Sequence, residues 1–169
     1  GLFDSYKAWY MTQTGFFPGR KSGRDVINEE PPYYKRIRNL LDYPELHKPR
    51  APGNACMSAI GSGRMGTMGK PINGSKGCGG VMRAAPVGLF FFSDPEEAFK
   101  TGCEMGAMTH GHPTGYLAAG AMAAAVAFIT SGADIESAAA EALGLLKKEK
   151  NSGECVSALD KALSAERKD

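Results

Sequence analysis

The chemistry of this chain concentrates in Asn73-Gly-Ser75-Lys76-Gly77-Cys78-Gly79-Gly80-Val-Met82-Arg83, followed by Ala85-Pro86 and then by Thr109-His110-Gly-His112-Pro113. A run of main-chain amides without Cβ atoms, bracketed by Ser, Lys and Arg, suits a backbone that must approach a phosphate closely. The stretch reads as an anion cradle. His110 is placed to donate to the same anion, with Pro113 and Gly115 shaping the turn that holds it.

Other patterns carry less. Gly61-x-Gly63-x-x-Gly66 spells the dinucleotide fingerprint by letters alone, with neither a strand before it nor a long helix after it. Gly69-Lys70 lacks a glycine five residues earlier and is followed by Pro71, so it makes no Walker A loop. His110-x-His112 could offer two imidazoles to one metal, but no Asp, Glu or Cys stands close in sequence, and a hydrogen-bonding His at a helix end is the plainer reading. Cys78 as a nucleophile would draw on Lys76 and Arg83 for a positive neighbourhood, yet no base of the usual His type is identifiable. For the whole Gly-rich loop, the plain alternative is a tight turn packed against helices.

The elements that must position these residues are helical. Residues 4–11 carry Tyr6, Trp9 and Tyr10 at helical spacing before a break at Gly15 and Pro18. A short helix is expected over 33–41, amid Arg20, Lys21, Arg24, Lys35, Arg36, Arg38, Asp25, Glu29 and Glu30, which read as a solvated face. Pro52-Gly-Asn54 supplies a turn and an N-cap for a helix over 55–60. From 61 to 80 eight glycines exclude a stable regular element, so a long loop is expected. The apolar run 87–92 fits a buried strand or the end of a buried helix.

Ser93-Asp94-Pro95-Glu96-Glu97 starts a helix that runs to about Met108. The next begins at Pro113, is Ala-rich to Thr130 and stops near Gly132. Asp134 caps a third, through Ile135, Ala138, Ala139, Leu143 and Leu146, and Ser152 opens a fourth with Val156, Leu159 and Leu163 on one stripe. The small residues from Ala118 to Ala125 let neighbours approach closely, so the Ala-rich helix is expected at the centre of an all-α bundle.

At 169 residues, 43% hydrophobic and 22% charged, the chain fits one soluble domain. Twenty basic against 18 acidic side chains leave a formal charge of +2, too little for a nucleic-acid or anionic-membrane partner. Cys56, Cys78, Cys103 and Cys155 are widely spaced and nothing resembles a signal peptide, which fits reduced thiols in the cytoplasm. The uncharged run 116–129 falls short of the roughly 20 residues that span a bilayer.

Arg50-Ala-Pro-Gly-Asn54-Ala-Cys56, Asn73-x-Ser75-x-Gly77-x-Gly79-x-x-Met82-Arg83-x-x-Pro86 and Thr109-His110-x-x-Pro113 resemble, in order and spacing, the middle of the ADP-ribosylglycohydrolase family, and Ala8-Trp9-Tyr10-x-x-Gln13 resembles a segment near that family's first acidic motif. The resemblance implies an all-α helical domain that binds ADP-ribose across two magnesium or manganese ions and hydrolyses the N- or O-glycosidic bond to a modified side chain. It also implies that Asn73, Ser75, Lys76, Gly77, Cys78 and Gly79 form a diphosphate-binding loop and that His110 reaches the same group. Many members carry Asn where this chain has Cys78.

The family's Asp-Asp-Thr and Asp-x-Asp metal motifs are absent from this sequence. The chain is therefore expected to be the middle of a longer, incomplete domain that supplies the diphosphate loop without the metal ligands. The 169-residue polypeptide is expected to be catalytically silent alone, because nothing stabilises charge on the departing sugar. ADP-ribose or an ADP-ribosylated protein is the expected partner, and helix faces left uncovered predict self-association or a second chain. The alternative is a non-catalytic relative that binds ADP-ribose or serves a structural, crystallin-like role.

Overall fold

The computed structural model describes residues 1–15, 18–19 and 41–165. Among these there are seven α-helices, two single 3-10 turns and no strand, so the fold is all-α as expected. The helix expected over 33–41, save for Leu41, and the charged face expected around Arg20 to Arg38 lie outside the described residues. The described chain falls into two compact units, 1–65 and 66–169.

In the first unit, α1 (Leu2–Thr14) ends where Gly15 takes the left-handed conformation, φ 73°, and its amide returns to the Met11 carbonyl. Gln13 ties a following segment to this helix: Nε2 donates to the Leu46 carbonyl (3.2 Å) and Oε1 accepts from the Arg50 amide (3.3 Å). Helix α2 (Asn54–Gly61) is capped by Gly53 without a side-chain bond, so Asn54 is the first helical residue and not the expected cap. The ring of Tyr10 lies where a Cβ at Gly61 would stand, its Oη 2.8 Å from that position. Phe3, Ala8, Cys56, Ala59 and Ile60 are buried.

The second unit carries the larger core. After the loop and a 3-10 turn at Val81–Arg83 come α3 (Ala85–Phe90), α4 (Pro95–Ala107), α5 (Pro113–Thr130), α6 (Ile135–Lys148) and α7 (Gly153–Leu163). The apolar run from Val87 thus continues a helix. Helix α4 starts where Asp94 accepts from the Glu97 amide at 3.0 Å, and α6 where Asp134 accepts from the Ser137 amide at 2.7 Å. Both caps are local in sequence and form where the side chains demand them.

Helices α4 and α5 run antiparallel with little between them. A Cβ at Gly106 would stand 3.0 Å from Ala119 Cβ, and one at Gly102 would stand 2.8 Å from Ala123 Cβ. Phe99, Cys103, Leu117, Ala121, Ala124, Ala142, Leu146 and Cys155 form the core around this seam, so the Ala-rich α5 is the central helix. Burial pushes the Cys103 thiol up to about 12, which leaves it an inert apolar group.

Two details of the expected pattern shift. Ile135 is 72% exposed, because the buried stripe of α6 runs through Ala138, Ala142, Leu143 and Leu146. Helix α5 is 18 residues, longer than the uncharged run alone, and by length and composition it could cross a membrane; its small residues are instead packed inside the unit. Met82, Leu89, Phe90 and Phe92 leave apolar surface open on and around α3.

Candidate functional site

The loop before α3 is ordered by side chains rather than by a regular element. Asn73 is its main anchor: Nδ2 donates to the Thr109 carbonyl (2.9 Å), while Oδ1 accepts from the amides of Ser75 and Gly111, both at 3.0 Å. Ser75 Oγ accepts from the Gly77 amide at 3.1 Å, and the Ser75 carbonyl accepts from the His112 amide at 3.4 Å. An Asx turn followed by a serine turn therefore folds residues 73–77 back on themselves. Gly111 and Gly115 permit this approach, since a Cβ at Gly115 would stand 2.8 Å from the Ser75 carbonyl oxygen.

Asn73 and Ser75 thus spend their side-chain oxygens on the loop itself. Lys76, Gly77 and Cys78 are exposed. The amides of Lys76, Cys78 and Gly79 have no hydrogen-bond partner among the described residues. The Cys78 thiol contacts Met82 Sδ at 3.8 Å rather than an imidazole. The Gly79 carbonyl accepts from Arg83 Nη1 at 3.4 Å.

His110 is 1% exposed at the turn between α4 and α5. Its Nδ1 lies 2.8 Å from Thr109 Oγ1, and the same hydroxyl receives Arg83 Nη2. Arg83 also donates to the Met105 carbonyl at 3.1 Å, so one guanidinium joins the loop, α4 and the His110 turn. The other ring nitrogen, Nε2, has no partner among the described residues and stands 3.4 Å from where a Cβ of Gly77 would be, beside Ser75 Oγ. No enclosed side-chain nitrogen or oxygen among the described residues lacks a partner, so Nε2 is the part of the ring that reaches solvent. Burial, with the Arg83 guanidinium nearby, holds the His110 pKa below its ordinary value and keeps the ring neutral at pH 7.

Gly77, Ser75 Oγ and His110 Nε2 therefore bound a small polar niche that a methyl group at Gly77 would fill in close contact. His112 is separate from it: it precedes α5 as the N-cap, its Nδ1 accepting from the Thr114 amide at 3.1 Å. The paired-imidazole pattern is in this respect a helix start.

Lys76 points the other way, to Glu154 in the first turn of α7. Its Nζ donates to Glu154 Oε1 at 2.5 Å, and Thr114 Oγ1 donates to Oε2 at 2.6 Å. The bond from Lys76, then that from Thr114, hold the Glu154 carboxyl below the usual carboxylate range. Nothing local in sequence announces Glu154, 78 positions from its partner.

Divalent magnesium or manganese needs a set of oxygen ligands, carboxylates foremost. Among the described residues no three His, Cys, Asp or Glu side chains come together, and the one carboxylate bonded to the loop is engaged by Lys76 and Thr114. The described residues do not fit the two ions that the resemblance implies.

No solved structure matches the chain. The family model for ADP-ribosylglycohydrolase matches residues 2–169, across both units. The chain belongs to the ADP-ribosylglycohydrolase family.

Proposed function

We propose that this chain serves an ADP-ribosylglycohydrolase by receiving the diphosphate of ADP-ribose, or of an ADP-ribosylated side chain, on the loop 73–79 and on His110. The family acts on ADP-ribosylated substrates and is generally metal-dependent. The observation that carries the reading is the buried His110, whose unpartnered Nε2 opens into the niche that Gly77 leaves beside Ser75 Oγ.

A diphosphate presents several acceptor oxygens and no donor. The loop offers the complementary set: the unpartnered amides of Lys76, Cys78 and Gly79, the Ser75 hydroxyl proton, and the Lys76 ammonium once it turns from Glu154. Amide dipoles fixed by the Asx and serine turns need little reorganisation when the anion arrives. Asn73 contributes by holding the loop in shape. Hydrolysis of the glycosidic bond needs groups that stabilise an oxocarbenium-like sugar and deliver water. The described residues bring no carboxylate pair or metal-fitting cluster to the niche, and the polypeptide alone is expected to release no ADP-ribose.

The same observation favours a second reading, a relative that binds ADP-ribose without cleaving it. Calorimetry with ADP-ribose, with and without magnesium, tests both. Binding that ignores the metal is the expected result. Ser75→Ala combined with His110→Ala should weaken it by about 1–3 kcal/mol, the usual range for lost hydrogen bonds to charged groups. Unchanged affinity would dismiss the site, and release of ADP-ribose from a modified arginine or serine peptide would dismiss the non-catalytic reading.

A further inference from the structure

Arg83, from 26 positions away in sequence, meets the adjacent pair Thr109 and His110 in one line: Arg83 Nη2, Thr109 Oγ1 and His110 Nδ1. Thr109 is fully enclosed, and its hydroxyl has one proton to give. Arg83 is a donor only, so the hydroxyl oxygen accepts from it. The remaining neighbour of that hydroxyl among the described residues is Nδ1 of His110.

We infer that Arg83 and Thr109 are positioning residues that fix His110 as the neutral tautomer with its proton on Nε2, so that the ring presents a permanent N–H donor to the niche beside Gly77. In the opposite tautomer, Nδ1–H would donate to Oγ1, and the Thr109 proton would have no acceptor among the described residues at a fully enclosed position. An enclosed hydroxyl proton without an acceptor is unfavourable, and the arrangement with every donor matched is preferred. The guanidinium acts twice: it orients the hydroxyl through the bond to Oγ1, and its charge opposes a second proton on the ring. A histidine so fixed discriminates among ligand atoms. It favours an oxygen that only accepts, such as a phosphate oxygen, and disfavours a hydroxyl or amide that must donate.

The inference rests on the diphosphate reading for its functional meaning but not for its test. The chain has three histidines, so long-range nitrogen–proton correlation spectra of the uniformly labelled protein at pH 7.5 can resolve each ring, with His110→Gln assigning the signal. A single neutral tautomer protonated at Nε2 is expected. Thr109→Val should turn that signal into a mixture of tautomers and lower ADP-ribose affinity about tenfold, and Thr109→Ser should restore both. An Nδ1–H tautomer, an imidazolium at that pH, or a Thr109→Val spectrum identical to wild type would overturn the inference. Should Thr109→Val fail to fold, the wild-type spectrum decides alone. An Nε2–H signal in a protein that does not bind ADP-ribose would leave the relay standing and remove the diphosphate reading; binding with an Nδ1–H signal would do the reverse.

Discussion

Glycine is used in two opposite ways in the second unit. Along the α4–α5 seam it is a contact: a Cβ at Gly120 would press on Cys103 Sγ and stand 2.7 Å from the Phe99 carbonyl oxygen, and one at Gly102 would meet Ala123. In the loop it is an opening. A Cβ at Gly74 would meet nothing within 4 Å, and one at Gly77 would sit 3.3 Å from Ser75 Oγ and 3.4 Å from His110 Nε2. The seam omits side chains so that helices can touch, while at Gly74 and Gly77 the omission leaves the exposed side of the loop uncovered. Composition alone does not separate these uses, but the same substitution does.

The seam should respond most. Gly120→Ala overpacks the tightest of these α4–α5 contacts, and Ala124→Phe inserts a ring where the side chain is fully enclosed; each should cost about 1–3 kcal/mol of stability, read as a fall in thermal midpoint. An unchanged midpoint in either variant would refute the packing described for α5. Asn73→Ala comes next, since it removes three hydrogen bonds and leaves the Thr109 carbonyl without its side-chain donor. A loss of about 1–3 kcal/mol is expected in denaturant unfolding, with hydrogen exchange speeding up at the Ser75 and Gly111 amides.

Gly77→Ala sharpens the contrast. Its backbone is not in the left-handed region and the added methyl meets only ordinary or slightly tight contacts, so stability should change by less than about 0.5 kcal/mol. The methyl fills the niche, however, and ADP-ribose affinity should fall about tenfold, or about 1.4 kcal/mol. Equal affinity in wild type and variant would show that the opening is not used.

The smallest expected effect is on pH. The folded-state pKa of His110 is depressed, so the unfolded chain binds a proton more readily, and stability should decline as pH falls below about 6.5 toward the lower folded value. His110→Gln should flatten that part of the profile in urea titrations; an unchanged slope would contradict the buried neutral ring. Light scattering addresses the open apolar surface at Met82, Leu89, Phe90 and Phe92, where self-association is expected and a monodisperse monomer would count against it.

What could be read in the sequence was local. Asp94 and Asp134 cap their helices because side chain and amide lie three residues apart, and the glycine density after Gly61 leaves no regular element before Val81. The break at Gly15 follows from one left-handed residue. The partners of those residues were not legible. Asn73 reads as a ligand contact in the motif, yet its bonds run to Thr109 and Gly111, 36 and 38 positions away. Lys76 reads as a diphosphate contact in the motif, yet its Nζ meets Glu154 on another helix. The burial of His110 arises where the loop folds over the α4–α5 turn, and no periodicity encodes that. Ile135 belongs with the apolar residues of α6 by type and yet is exposed, because spacing within a helix fixes relative angles and not which face meets the core.

The proposed function requires convergence of the loop amides and His110 Nε2 on a diphosphate. It is tested most directly by titrating labelled wild-type protein with ADP-ribose while following the Lys76, Cys78 and Gly79 amides and the His110 ring. These signals are expected to shift together, saturate at one affinity and respond to ADP-ribose but not to adenosine. Signals that stay fixed while ligand binds elsewhere, or that respond equally to adenosine, would contradict it.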